Sequence, residues 1–351
     1  MNRLTAVLAT ATLASAALLS QNALAQDGPY KVLSTTKVGG AGNFDYVTAD
    51  SVGRRLYVAR SGPAGHVAVY DLDTLAPTGD IPNVSAHGAV VDVKYGHGIA
   101  ASKPVTFFDS KTLAVIKTID VQGNPDGYLA DQSTDRLYIL SHAAPNVSVI
   151  DAKDGTILGT IDLGGAPEQA VLDGKGHMFI DLEDKDAIAV VDVATMKMTG
   201  KYDVSSKGGG CAGLAIDTKN SILFATCRDK NNMIILSATD GKILDALPTG
   251  KGSDGAVFNP ATMEAFSSQG DGTLTVVKEN SPTSFVVEQT VKTPTRAKTL
   301  TLDTKTGKIF LISAEFGPAP APAAPAADGA PARPGRAPMV PDSFMIITVG
   351  K

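Results

Sequence analysis

The chain has no tryptophan, two cysteines, five histidines and no surplus of positive charge among its 351 residues. The net charge of −5 argues against a protein-wide phosphate-binding surface, because such footprints are basic. No segment beyond the N-terminus is apolar for the roughly 20 residues that a helical membrane span needs. A nucleophile elbow, a zinc-protease helix motif and a phosphate loop are all missing. Lys207-Gly208-Gly209-Gly210 lacks the strand-to-helix setting of a phosphate cradle and reads as a flexible loop. Two cysteines give at most one disulfide, so the fold must rest on its apolar core, for which 43% hydrophobic residues suffice.

What is present begins with an export signature. Arg3 precedes a small, apolar stretch from Leu4 to Leu19, and Ala23-Leu24-Ala25 before Gln26 fits a small-x-small cleavage site. A cleaved signal peptide over residues 1–25 and a periplasmic or secreted protein are expected, with an uncleaved anchor as the alternative. An oxidising compartment favours pairing of Cys211 with Cys227. The stretch GCAGLAIDTKNSILFATC reads as a hairpin turning near Thr218-Lys219-Asn220, with positions 217 and 221 flanking the turn. Stepping six residues back along each strand sets 211 opposite 227, within reach of a cross-strand disulfide. A redox or copper-binding thiol pair is the alternative.

The remainder is repetitive. Apolar runs such as Leu137-Tyr138-Ile139-Leu140 and Val147-Ser148-Val149-Ile150 are short, rich in β-branched and aromatic residues, and broken by Gly, Asn, Asp or Pro. One register recurs seven times: a variable polar residue, four small or apolar residues, then Asp or Asn. Its copies start at Asp45, His87, Asp126, Glu168, Ala212, Asp254 and Lys298, at steps of 42, 39, 42, 44, 42 and 44. Each copy continues with strands like Arg55-Leu56-Tyr57-Val58, Val67 to Asp71 and Ala114 to Ile119. Four antiparallel strands per 40–45 residues is the grammar of a propeller blade. An all-β, seven-bladed propeller spanning residues 26–351 as one domain is therefore predicted. The last copy lacks a fourth strand, and Tyr30 to Thr36 has no other partner. That N-terminal strand is expected to complete blade seven and close the ring. A Pro/Ala-rich insertion over 316–342 falls between the second and third strands of that blade. Its composition favours unpacked chain, disordered or serving as a recognition segment.

The repeat text DRLYILSH…NVSVID…TILGTIDLGGAP…AVLD, with RRLYVARS…HVAVYD and HMFIDLED…AIAVVDVATMKMTGKYDV, resembles the YVTN-type repeat. From about Tyr30 to Lys351 the chain resembles exported YncE-like seven-bladed propellers. Similar propellers occur as surface-layer proteins, as binders of protein or nucleic acid, and beside lactonases and redox-cofactor enzymes. Quinone-dependent propeller dehydrogenases use Trp docking motifs, which a chain without Trp cannot form. The missing Trp argues against a quinone cofactor, and no nucleotide motif is present.

In a propeller, the loops entering inner strands and those joining second to third strands open on one face. The seven variable positions should then form a ring at the channel mouth, and they change chemistry from blade to blade while the Asp at the strand end stays constant. An acidic mouth is expected, with Asp45, His87, Asp126, Glu168, Asp254, Arg296 and Lys298 as candidate ligand-binding residues for a small molecule or a protein partner. His66 and His142 fall in second-to-third-strand loops. With His87, Asp45 and Asp126 they form a candidate set for a divalent metal, zinc or copper ahead of calcium, because the set mixes nitrogen and oxygen donors. His97 and His177 should face the other side. A lactonase-like hydrolase is the alternative, with Glu168 or Asp254 as general base and Lys298 or Arg296 stabilising an oxyanion. Nucleic-acid binding rests on family analogy, with Arg60, Lys103, Arg228 and Lys230 on a rim and Phe44, Tyr46 and Tyr128 for stacking. The expected binding unit is a monomer without catalytic activity.

Overall fold

In the computed structural model, which describes residues 28–319 and 337–351, every strand belongs to one of seven four-stranded antiparallel sheets. The signal-like residues 1–25 and most of the Pro/Ala stretch lie outside the described residues. Blade one runs Asn43–Asp50, Arg55–Ser61, His66–Asp71 and Pro77–Pro82 from channel to rim, and blades two to six repeat the order. Blade seven takes Leu300–Leu302, Ile309–Ser313 and Met345–Gly350 from the C-terminal end. Lys31–Lys37 supplies its outer strand, with Thr35 opposite Ile347. The predicted ring closure is therefore present.

The alternation of side chains along a strand explains why the blades must stack. Leu56 and Val58 face blade seven, whereas Tyr57 and Ala59 face blade two. The buried apolar residues form seven clusters, and each lies at one blade-to-blade interface. Both faces of each sheet are covered, so second and third strands are buried almost throughout while most outer strands are largely exposed. Tyr30, which precedes the first described strand, and Lys351 are both fastened at the blade six–seven seam. The Tyr30 hydroxyl donates to Glu264, its ring stacks edge-on against Phe266 at 5.1 Å, and Lys351 pairs with the same Glu264 at 3.0 Å.

The constant Asp or Asn of the repeat has a local purpose. In all seven blades its Oδ1 accepts a backbone N–H two or three residues on, as in Gly53 to Asp50 at 2.8 Å and Tyr95 to Asp92 at 2.9 Å. This Asx-type turn starts the first hairpin of each blade. The residue is structural and faces away from the mouth.

Cys211 and Cys227 form a disulfide and occupy opposed positions on neighbouring strands. The thiol alternative is thereby replaced. The pairing arises by a different count from the one in the sequence: Asp217 faces Ile222, so the turn is one residue longer, and a bulge at Ala212 returns 211 to 227. Denatured, unreduced protein should show no titratable thiol and two after reduction. Two thiols before reduction would contradict the bond.

The Pro/Ala insertion leaves blade seven at the predicted place. Its base is a short antiparallel contact, Phe316 with Met339, held by Gly317 N–H donating to Pro338 at 2.9 Å.

Candidate functional site: a closed ring of alternating charge

The variable position of the repeat is where the inner strand breaks register. In blades one to six it lies inside a β-bulge, between Phe44 and Val47, Ala86 and Ala89, Pro125 and Tyr128, Pro167 and Ala170, Cys211 and Gly213, and Ser253 and Gly255. A bulge leaves one residue unpaired and re-aims its side chain. That is why Asp45, His87, Asp126, Glu168 and Asp254 turn into the mouth and do not join the blade cores. Lys298 precedes the short inner strand of blade seven and arrives at the same level. These residues, with Tyr46, Asn124, His142 and Arg228, line a cavity of about 200 Å³.

Their contacts close into a ring in which acid and base alternate. His87 Nδ1 lies 2.9 Å from Asp45 Oδ2 and 2.8 Å from Asp126 Oδ1. His142 Nε2 is 3.1 Å from Asp126 Oδ2 and 3.8 Å from Glu168 Oε1. Arg228 stands 3.6 Å from Glu168 and pairs closely with Asp254, whose other oxygen pairs with Lys298. Lys298 completes the circuit to Asp45 at 3.5 Å. Arg228 also holds Glu183 at 2.8 Å. Side chains of the four ring acids are 6–24% exposed and those of the four bases 34–44%. The acids thus lie deeper and the bases rim the opening.

This arrangement corrects the expectation of an acidic mouth. Ala212 is fully buried and contributes no charge. Blade five instead sends Arg228, just beyond the end of its second strand, Ile222–Cys227, into the gap. The mouth is charge-balanced when both imidazoles carry protons. The ring itself drives that protonation. The hydrogen bond to Asp126, then the one to Asp45, lifts His87 to about 10 against the cost of burial. The hydrogen bond to Asp126 lifts His142 to about 9. Burial opposes the charge on Asp126, yet hydrogen bonds from His142 and His87 hold its carboxyl well below the usual carboxylate range. Burial pushes Glu168 up to about 7, with Arg228 working in the other direction.

Beneath the mouth the channel narrows. Tyr46 donates to Glu168 Oε2 at 3.0 Å and packs edge-on against Tyr128, ring centres 5.7 Å apart. Tyr128 bonds Thr48 at 2.6 Å. A Cβ on Gly88 would fall 1.8 Å from the Tyr128 ring, so only glycine at that bulge admits the tyrosine. Below lies a second cavity of about 200 Å³ lined by Val47, Val90, Leu129, Val257 and Leu300. Gln169, the other residue of the blade-four bulge, spans blades four to six. Its Oε1 accepts from Leu214 and Ala256, both at 3.0 Å, and its Nε2 donates to Ala256 at 3.0 Å. The sequence reading missed Gln169, whose only signal was a polar residue inside an otherwise apolar register.

Several candidates go elsewhere. His66 opens the third strand of blade one, contacts Ala64 through Nδ1 at 3.0 Å and lines a separate 480 Å³ groove at the blade edge. It stands outside both clusters of metal-type donors among the described residues. Arg296 lies over the Phe316 ring at 3.8 Å, at the base of the insertion, and not in the mouth cavity. Its own backbone adopts a left-handed conformation at φ 64°. The stacking rim is not assembled. Arg60 is 1% exposed, Arg228 is consumed by carboxylates, Phe44 packs on Phe344 at 5.0 Å, and both tyrosines sit inside the channel. Lys103 and Lys230 are exposed, donating to backbone carbonyls. His97 and His177 occupy first hairpins, on the face away from the mouth as expected.

Comparison with known proteins adds the class. No family model matches the chain, and no curated protein matches it. A chain in the solved structure described as "Crystal Structure of Mitotic Checkpoint Complex" is similar with a TM-score of 0.68 and 12% identity, over 88% of this chain and 95% of that one. At that identity the likeness establishes the fold alone. The protein is a seven-bladed β-propeller with a charged mouth.

Proposed function

We propose that the chain is an exported, YncE-like binding propeller that takes a small, charged ligand or a partner's charged group at its mouth. The observation that carries the reading is the closed circuit of four acids and four bases at the rim of one cavity, five of the eight delivered by bulges. The buried disulfide supports an oxidising destination. Among the described residues no helix is long and apolar enough to cross a membrane.

The test is a thermal-shift and calorimetric panel of divalent metal ions, small carboxylates, phosphates and amines, run on wild-type protein and on Asp126→Asn and Arg228→Met. Hits that weaken at least about tenfold in both variants support the mouth. Hits indifferent to both variants, or a panel without hits, count against it.

A second reading, a lactonase-like hydrolase, is favoured by Glu168. A carboxyl held at about 7 by burial and adjacent to a guanidinium is suited to general-base work. Turnover of a lactone panel that falls at least about 100-fold in Glu168→Gln would establish this reading over simple binding.

A further inference from the structure

The mouth contains two donor sets that share one residue. Asp45, His87 and Asp126 form the first, and Asp126, His142 and Glu168 the second; within each set one ligand atom per residue lies within 4.8 Å of the others. The halves have the same composition, one imidazole nitrogen and one terminal carboxylate on either side of Asp126. The central carboxylate turns Oδ1 to His87 and Oδ2 to His142. Neither set contains both imidazoles. We propose that the mouth holds a pair of zinc-like divalent transition-metal ions bridged by the Asp126 carboxylate, the first on Asp45 and His87, the second on His142 and Glu168.

Four considerations carry this. The donor separations come close to those of small ions: metal–ligand bonds of about 2.0–2.2 Å place neighbouring donors roughly 3–3.6 Å apart, and the separations here, 2.8, 2.9, 3.1 and 3.8 Å, fall inside that span or just beyond its ends. The donor type suits zinc, since imidazole nitrogen with carboxylate oxygen selects transition ions over calcium. A bridging carboxylate also fits the known economy of two-ion centres, whose ions lie about 3.5–4 Å apart.

Finally, an orphaned carboxyl lies behind the second set. Asp181 is fully buried, and neither of its oxygens has a partner. Its strand position falls across from the Glu168–Gln169 bulge. Buried carboxyl oxygens without a partner are costly, and a cation on Glu168 places compensating positive charge beside them. Three protein ligands leave each ion an open position facing the cavity. The ions would be the groups that a small ligand meets first.

This inference rests on the mouth being the binding site, and the experiment separates the two claims. Full-length mature protein is stripped with chelator, then titrated with zinc(II) at pH 7.5 by calorimetry and equilibrium dialysis with metal analysis. Wild type should bind two zinc ions per chain and no calcium at the same concentrations. His87→Ala and His142→Ala should each retain one, Asp126→Asn should lose both, and His66→Ala should retain two. Circular dichroism verifies the fold of each variant, and the wild-type stoichiometry decides independently of them. One zinc or none in wild type, or two in Asp126→Asn, overturns the bridged pair. If zinc fails while another probe of the panel still depends on Asp126 and Arg228, the metal inference falls and the binding mouth stands.

Discussion

Replacing Arg60 by alanine should cost about 3–4 kcal/mol of folding stability, the largest effect expected of any charged side chain here. Arg60 is 1% exposed and, among the described residues, donates to backbone carbonyls with no acidic partner. Its guanidinium donates to the carbonyls of Gly39 at 3.2 Å, Gly40 at 3.3 Å, Gly42 at 2.9 Å and Asn43 at 3.4 Å, and lies 3.8 Å over the Phe344 ring. The three glycines all take positive φ, which wraps the loop around the planar group. That loop carries the chain from the ring-closing strand into blade one, and Val38 and Gly39 both donate to Phe344 O. Alanine leaves the half-buried carbonyls of Gly39 and Gly42 short of a donor, while exposed Gly40 and Asn43 can turn to water; a fully buried carbonyl so left costs about 1–3 kcal/mol, and the cation–π contact and the packing of the buried side chain are lost as well. Lysine should recover less than half, because one ammonium cannot match a five-donor fork. Urea unfolding at pH 7 measures both. A loss under about 1 kcal/mol for Arg60→Ala would refute this assignment.

Arg228→Ala should remove about 2 kcal/mol at pH 8 and clearly less at pH 5. Arg228 holds Asp254, Glu183 and Glu168 together. Stripping a cation from buried carboxylates costs about 3–5 kcal/mol, reduced here because a third of the Arg228 side chain meets solvent. The pH dependence has a definite sign. Burial raises the folded-state value of Glu168 from 4.5 to about 7, and Arg228 restrains that rise. A raised carboxyl favours the native state fully below its unfolded value and loses that contribution as pH climbs through the folded value. Without Arg228 the folded value moves higher, so both proteins lose this contribution in parallel up to about pH 7 and the variant's deficit widens above that, where only the wild-type carboxyl has ionised. Unfolding free energies at the two pH values provide the check, and a pH-independent deficit would contradict the ring.

The fold was legible because its signals are local and repeated. Strand runs, turn residues and the Asp that caps each first hairpin recur seven times, and the missing fourth strand of the last repeat pointed to Lys31–Lys37. The mouth was legible in part. One position per repeat varied, and the bulge explains why that position escapes the core. Arg228 could not be found that way, because it comes from the end of a second strand and matters only where blade five offers Ala212. Arg60 looked like an exposed rim cation; nothing in its neighbours' identities shows that four carbonyls converge on it. His142 was placed at the mouth, whereas His66, at a corresponding loop of blade one, stayed outside because its strand pairing with Arg60 and Pro82 keeps it on the blade edge. The disulfide was reached through two offsetting register shifts, which sequence spacing does not reveal.

The closed ring makes its most direct claim about two imidazoles. In metal-stripped protein, a pH titration of the histidine side chains by NMR should find His142 and His87 protonated well above neutrality, with midpoints near 9 and 10. In Asp126→Asn, which deprives both of their shared carboxylate, both midpoints should fall by at least about one unit. If His87 and His142 of the native protein both titrate near 6.5, the ring of alternating charge does not exist in solution.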